Sequence, residues 1–441
     1  MATDLAARLR CMYYEGRGRG PGPFWVPAAS NSTTSRCISG TGRVGCMPID
    51  LTELGRKLRN IRQEILQMSV EEVSEHTSIP PSDLMKMENG LLEPTGDQIL
   101  ILSDIYNEPF QYFITHQKSA TLERATDLYR MHGDQFSPSD RKQIQEFLLL
   151  CRLEHELEAM MGGRPRTRNY VPTPDKKYRK GHGQENAEKL RRDFGLGTSP
   201  IANAFHLARE LGCHIFRRKL GNSKISGVFM RHPEIGQCIL VNYDEDIYRQ
   251  KFSALHELGH ALFDTDYKVN LTFKEDLVSG LKSRGADDKY YREVRANTFA
   301  GRLLIPPSAI SDISLGSSPE EKADTILKVC LHYKVNYDVG LISFKDAGRI
   351  DDAEFQALRQ KRKVAMASKV DPEIEGEPGL VKQRRYYILE RGLSPDYVKT
   401  CFEAYHRKLI SIGKLADTLR VSIPQIPPIA AAYGEQIWSE T

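Results

Sequence analysis

The stretch Phe252-Ser-Ala-Leu-His256-Glu257-Leu-Gly-His260-Ala-Leu-Phe263 constrains this chain more than any other. It is an apolar helix pattern that carries two imidazoles four residues apart and a carboxylate beside the first. Residues four apart share a helix face, one turn up. His256 and His260 can therefore both point at one small ion, at nitrogen–metal distances of roughly 2.0–2.1 Å. Glu257 follows His256 directly and is aimed away from their shared axis. It can reach a water in the ion's open position without being a ligand itself. The plain alternative is an amphipathic helix that carries two histidines by chance.

The arrangement is the H-E-x-x-H of zinc peptidases. Such a zinc takes a third protein ligand and leaves one position open for water. Downstream lies Tyr291-Arg-Glu293-Val-Arg-Ala296-Asn297-Thr-Phe299-Ala300-Gly-Arg-Leu303-Leu304-Ile305-Pro306-Pro307. Ala296, Phe299, Ala300, Leu303 and Leu304 repeat at helical spacing and form one buried stripe. Glu293 lies three before Ala296, on the same stripe, where a carboxylate is costly unless something pairs with it. A metal meets that need. A surface pairing with Arg292 or Arg295 is the alternative, and Glu275 and Asp276 are rival third ligands in a polar segment without clear period.

Taken together, His256-Glu257-Leu258-Gly259-His260, then Glu293-x-x-Ala296-Asn297-x-Phe299-Ala300-x-x-Leu303-Leu304-x-Pro306, with Arg249-x-x-Phe252 upstream, resemble the ImmA/IrrE family of metallopeptidases over roughly residues 185 to 350. The resemblance implies a zincin-like domain, zinc held by His256, His260 and Glu293, and Glu257 as catalytic base. It also implies a narrow protein substrate, typically an XRE-type transcriptional repressor. One departure stands out. Many members carry a second acid directly before the alanine, where this chain has Arg295, which puts a basic group close to the metal site.

The 441 residues are enough for two or three domains, and the net charge of +4 does not announce a nucleic-acid binder. No run of 18 or more apolar residues spans a membrane, and no apolar core near the N-terminus reads as a signal peptide. The eight cysteines are scattered and none forms a C-x-x-C pair, which points to a reducing cytoplasm.

The expected fold class is α+β, mostly helical. Residues 1–46, rich in Gly, Pro, Ser and Arg, read as disordered, with Met47 as an alternative start. Residues 47–115 read as five short helices. Met68-Ser69-Val70-Glu71-Glu72-Val73, Ile79-Pro80-Pro81-Ser82-Asp83-Leu84 and Met87-Glu88-Asn89-Gly90 resemble the XRE-type helix-turn-helix. That resemblance implies a third helix in a DNA major groove, with Pro81, Ser82, Asp83, Met85 and Lys86 facing bases. Arg56 and Arg59 are candidate phosphate contacts. Yet residues 51–115 hold five Lys/Arg against eleven Asp/Glu, a net of −6. Phosphate contact supplies most non-specific affinity, so docking or dimerisation of this domain stands beside DNA binding.

Residues 116–182 read as a helical spacer, apolar on one face at Ile144, Phe147, Leu148, Cys151 and Leu157, followed by a basic tether. The tether holds Arg164, Arg166, Arg168, Lys176, Lys177, Arg179 and Lys180, and reads as a solvated linker or a phosphate contact. Residues 183–350 read as the peptidase-like domain with a small sheet. Its segment Ile225–Met230 reads as either a peptide-binding edge or an interior strand. Residues 351–379 read as a charged linker and residues 380–441 as a helical domain for interaction or dimerisation. His332 and Tyr337 are outside candidates for the site and read first as packed residues. The rival functions are a DNA-binding regulator whose metal domain is a sensor, and an antitoxin-like partner that cuts nothing. Zinc is the expected ion, with manganese or iron as alternatives for the same ligand set.

Overall fold

The computed structural model describes residues 49–163, 168–175, 179–274, 288–361 and 370–437. Residues 1–46, Met47, Arg164, Arg166, Lys176, Lys177, Glu275 and Asp276 lie outside them. The chain is mostly helical with one four-stranded mixed sheet, an α+β architecture. It divides into two compact units, Met1–Ser119 and Ala120–Thr441. No helix among the described residues is long and apolar enough to cross a membrane.

In the first unit, α1 (Leu51–Asn60) starts at Asp50, whose carboxylate accepts from the Thr52 and Glu53 amides, and ends in a wider turn at Ile61–Leu66. Then come α2 (Val70–Thr77), α3 (Pro81–Glu88), α4 (Gly96–Tyr106) and α5 (Phe110–Ile114). Ser69 and Glu72 close the capping box expected from their spacing, and Thr95 with Gln98 closes another. Leu54, Leu58, Ile61, Val73, Leu84, Ile99 and Phe113 form its core.

The five Lys/Arg of residues 51–115 are all engaged within the unit. Buried Lys57 donates to the carbonyls of Tyr112 (2.7 Å) and Thr115, and Arg62 forks onto Glu88 at 2.6 and 2.7 Å. Arg56 pairs with Glu53 at 2.7 Å, Arg59 donates to the Glu88 carbonyl at 3.1 Å and to Asn89, and Lys86 pairs with Asp83 at 3.3 Å. Ser82, Asp83 and Lys86 lie on the outer side of α3.

In the second unit, α6 (Ala120–His132), α7 (Pro138–Met160), α8 (Arg179–Asp193) and α9 (Ala204–Glu210) precede β1 (Cys213–Arg218), β2 (Ile225–His232) and β3 (Gly236–Asn242). After them come α10 (Ile247–Phe263), β4 (Val269–Phe273) and α11 (Asp288–Leu304). The strand order is β1-β3-β2-β4, with β1 parallel to β3 and β2 antiparallel to both its neighbours. β2 is therefore interior. The edge reading of Ile225–Met230 is overturned, because both sides of that strand are already paired; β1 and β4 are the outer strands.

Successive strand residues face opposite sides. Ile215 joins the core under α10, while Phe216 turns the other way between Phe147 of α7 (centroids 6.5 Å) and Tyr397 (5.4 Å). All six residues of β1 are buried, as a strand covered on both faces requires. The helix of residues 138–160 thus lies on the sheet, and α6 packs on β2 and β4.

The remaining helices are α12 (Pro319–Tyr333), α13 (Tyr337–Asp346), α14 (Asp352–Gln360), α15 (Gly379–Glu390), α16 (Pro395–His406), α17 (Ile412–Thr418) and α18 (Ile426–Tyr433). Of these, α16 packs on α7 and α15 on β1. The acidic run before α15 is pinned by Arg217 of β1. Its guanidinium forks onto Asp371 at 2.6 and 3.1 Å and pairs with Glu373, which also takes Arg209 at 2.9 Å.

A second tie to the C-terminal helices is pH-dependent. His206 Nδ1 lies 3.0 Å from Asp396 Oδ2. The hydrogen bond to Asp396 raises the His206 pKa, whereas burial alone would lower it. Burial alone would raise Asp396; the His206 bond and the Arg209 charge depress it instead. The Asp396 contribution is present above the free carboxylate value near ~3.9, and is lost as pH falls through the depressed value. The His206 contribution is complete below the free imidazole value near ~6.5, and is lost as pH rises through the raised one. The pair is therefore strongest between about pH 4 and pH 6.5. Both side chains are about one-third or more exposed, so the expected effect is at most ~0.5 kcal/mol. Urea melts at about pH 5.5 and pH 8.5 should differ more in the wild type than in His206→Gln.

Candidate metal centre

Helix α10 starts at Asp246, which accepts from the Tyr248 amide. Nearly every residue from Tyr248 to Ala261 is buried, so each polar group on it needs a partner. Lys251 finds one at the C-terminal end of α12, where its ammonium reaches the carbonyls of Lys334 (3.2 Å) and Tyr333 (3.4 Å). His256, Glu257 and His260 converge on one point. Gly259 lets α11 come close, since a Cβ there would stand 3.2 Å from the Ala296 Cα.

Across that close contact, His256 Nε2 and His260 Nε2 are 3.0 Å apart. Glu293 of α11 places Oε2 at 3.2 Å from His256 Nε2 and Oε1 at 3.4 Å from His260 Nε2. Both rings are completely buried and Glu293 is 4% exposed. The opposite ring nitrogens are committed elsewhere. His256 Nδ1 meets Asn297 Oδ1 at 2.8 Å, and His260 Nδ1 meets Asp264 Oδ2 at 2.8 Å. With each Nδ1–H donating outward, both Nε2 lone pairs and a carboxylate face one another. That is a repulsive arrangement until a cation joins them. Without a metal, a proton has to serve: burial alone would lower His260, but Glu293 and Asp264 push it up to about 10. Burial alone would raise Glu293, but the two histidines hold it well below the usual carboxylate range. Glu293 Oε2 completes no hydrogen bond. A nitrogen–nitrogen–oxygen set of this kind fits a divalent cation.

Glu257 stands beside this cluster, wholly buried, with neither carboxylate oxygen hydrogen-bonded. Burial pushes its carboxyl up, opposed by His256, His260 and Thr272. Gly227 of β2 makes the room, because a Cβ there would come 2.8 Å from Glu257 Oε1. β4 adds Asn270, whose amide reaches Glu293 Oε1 and Thr272 Oγ1, both at 3.4 Å.

Arg295 does not face the His256–His260–Glu293 cluster. It pairs with Asp264, the carboxylate that holds His260, and Arg292 adds a second contact to Asp264 at 3.1 Å. Asp264 follows His260 by one helical turn, and Asn297 follows Glu293 by one turn. That spacing is the signal by which both ring-holding residues can be found in the sequence. Asn270 and Thr272 have no such signal, because only the sheet brings β4 here. His332 rests edge-on against Tyr333 at 4.9 Å, and Tyr337 belongs to the core. Arg56, Arg59, Ser82, Asp83 and Lys86 all belong to the first unit.

Replacing Asp264 with Ala frees the His260 ring and leaves buried Arg295 with Asp175 as its remaining acid, at 3.2 Å. Zinc affinity, read by competition with a chromophoric chelator, should fall about 10–100-fold.

Residues 208–336 match the family model described as the IrrE N-terminal-like domain, Peptidase_M78. The match holds both histidines, Glu257 and Glu293, and supports a metallopeptidase-type function for this part of the chain. No curated protein matches the chain.

Proposed function

We propose that this chain is a zinc-dependent endopeptidase of the H-E-x-x-H type, joined to an XRE-type helix-turn-helix module at residues 47–115. The observation that carries the reading is the meeting of His256, His260 and Glu293 around one point, with an unpartnered buried carboxylate, Glu257, beside it. Zinc would be held by those three residues and would supply Lewis acidity to a carbonyl and to water. The chain's own groups do the rest. Glu257 takes the proton of the attacking water on a carboxylate oxygen. Its raised pKa suits it to hold that proton and then deliver it to the departing amine nitrogen. Asn297 and Asp264 keep the two rings in the ligating tautomer.

The substrate we propose is a transcriptional repressor of XRE type, and the setting is the cytoplasm. The described cysteines, Cys151, Cys213, Cys238, Cys330 and Cys401, are all free buried thiols, in keeping with a reducing compartment. For the helix-turn-helix module we favour protein recognition over DNA. Residues 51–115 carry a net charge of −6, and Arg56, Lys57, Arg59, Arg62 and Lys86 already have partners inside the unit. Such a surface is poorly supplied for displacing counterions from phosphates.

Co-expression with a panel of XRE-type repressors should shorten one of them at a single site. Treatment of the purified chain with a chelator should stop that cleavage, and added zinc should restore it. Cleavage that persists after complete metal removal would reject the reading.

A further inference from the structure

We propose that the cavity between α10, α11 and α13 binds a small carboxylate and that its occupancy is passed to the metal centre through Asn297. The inference rests on the metal-centre reading above for its second half only. The cavity measures about 90 Å³, and its walls include Arg249, Phe252, Asn297, Arg302, Val339 and Ile342. At roughly 10–15 Å³ of such space per water, that holds several waters, enough for a compact body of a few heavy atoms.

The charge in the cavity asks for an anion. Arg249 forms no salt bridge with any described residue; Glu245 acts on it only at longer range. Arg302 spends a donor on the Asp346 carbonyl at 3.2 Å. Two acids, Asp338 and Asp346, also line the cavity, but each is already accommodated. Asp346 pairs with Lys180 at 2.8 Å, and Asp338 sits in the first turn of α13, where the helix end favours negative charge. The spare charge is thus a guanidinium, whose forked donors match a carboxylate. Phe252, Val339 and Ile342 supply an apolar floor beside it. The shared chemistry is a carboxylate on a short apolar body. Its source is either a free small acid or a carboxylate of the protein substrate.

Asn297 connects this cavity to the ion. Its side chain lines the cavity, and its Oδ1 takes the hydrogen of His256 Nδ1. A ligand that fixes the Asn297 rotamer fixes the His256 ring and leaves Nε2 better placed to ligate. By linkage, zinc tightens carboxylate binding by the same factor.

The test is calorimetric titration of the full chain, metal-free and zinc-loaded, with isobutyrate and, separately, with a tripeptide bearing a free C-terminal carboxylate. Saturable one-to-one binding is expected, tighter by about fivefold or more when zinc is present. Arg249→Gln should weaken it at least ~10-fold, and Arg249→Lys less, because the charge remains and only the fork is lost. Ile342→Phe, which narrows the cavity without touching a charge, should weaken it too and guards against misfolding of the arginine variants. Binding of isobutyrate assigns the cavity to a free acid; binding of the tripeptide alone assigns it to the substrate. Absence of saturable binding by either probe overturns the proposal, as does binding that Arg249→Gln and Ile342→Phe leave unchanged. A chain that takes up no zinc sinks the metal reading and the coupling. Carboxylate binding to the metal-free chain then still stands or falls on its own.

Discussion

Glu257→Gln should lower peptide hydrolysis by about 10²–10⁴-fold while the chain keeps its zinc. The substitution preserves shape in a site where the side chain is wholly buried and flanked by Gly227. It removes only the ability to accept a proton. The ligand atoms of His256, His260 and Glu293 belong to other side chains, so metal content measured by mass spectrometry should match the wild type. The amide also ends the cost of a buried carboxylate without hydrogen-bond partners. Thermal stability should therefore hold or rise while activity disappears, a combination that separates catalysis from folding. Equal activity in the variant would mean that water is activated elsewhere.

The second large effect concerns folding. Arg217→Ala should destabilise the second unit by about 3–5 kcal/mol, the cost of breaking a buried ion pair from one side. Arg217 is 3% exposed and Asp371 5%. Truncation leaves Asp371 without its fork, Glu373 with Arg209 alone, and the Phe205 ring without the guanidinium 4.2 Å above it. Denaturant unfolding gives the number. A companion variant in which Arg217 and Asp371 both become apolar should recover much of the loss, because the Asp371 charge is then removed with its partner while Glu373 keeps Arg209. A loss below about 1 kcal/mol for Arg217→Ala would show that water reaches the pair.

These two expectations differ in how visible their residues are in the chain itself. Most of the metal cluster is legible because its geometry is local: one helical turn fixes His256 against His260, and the same spacing ties Asp264 to His260 and Asn297 to Glu293, while Glu293 itself stands out as a carboxylate on an apolar stripe. The helix starts at Ser69 and Thr95 are legible for the same reason. The Arg217 clamp is not. An arginine at the end of an apolar strand reads as a solvent-facing terminus, and its partner lies 154 residues further on. The interior place of β2 is likewise decided by pairing with β3 and β4, which no local pattern specifies. The apolar stripe of residues 144–157 says that something covers it, but not that the cover is a sheet. The first unit shows a third limit. Counting the five bases of residues 51–115 says nothing of whether they are spent, and Lys57 and Arg62 turn inward.

The sandwich of Phe216 between Phe147 and Tyr397 has a practical side. Both neighbours lie outside residues 208–336, the span that carries the ligands. A fragment excised at those limits would present the bare ring, the rest of that sheet face and an orphaned Arg217 to water. It should be recovered as aggregate. A fragment running from Ala120 to Ile437 keeps both covers and is the piece to crystallise.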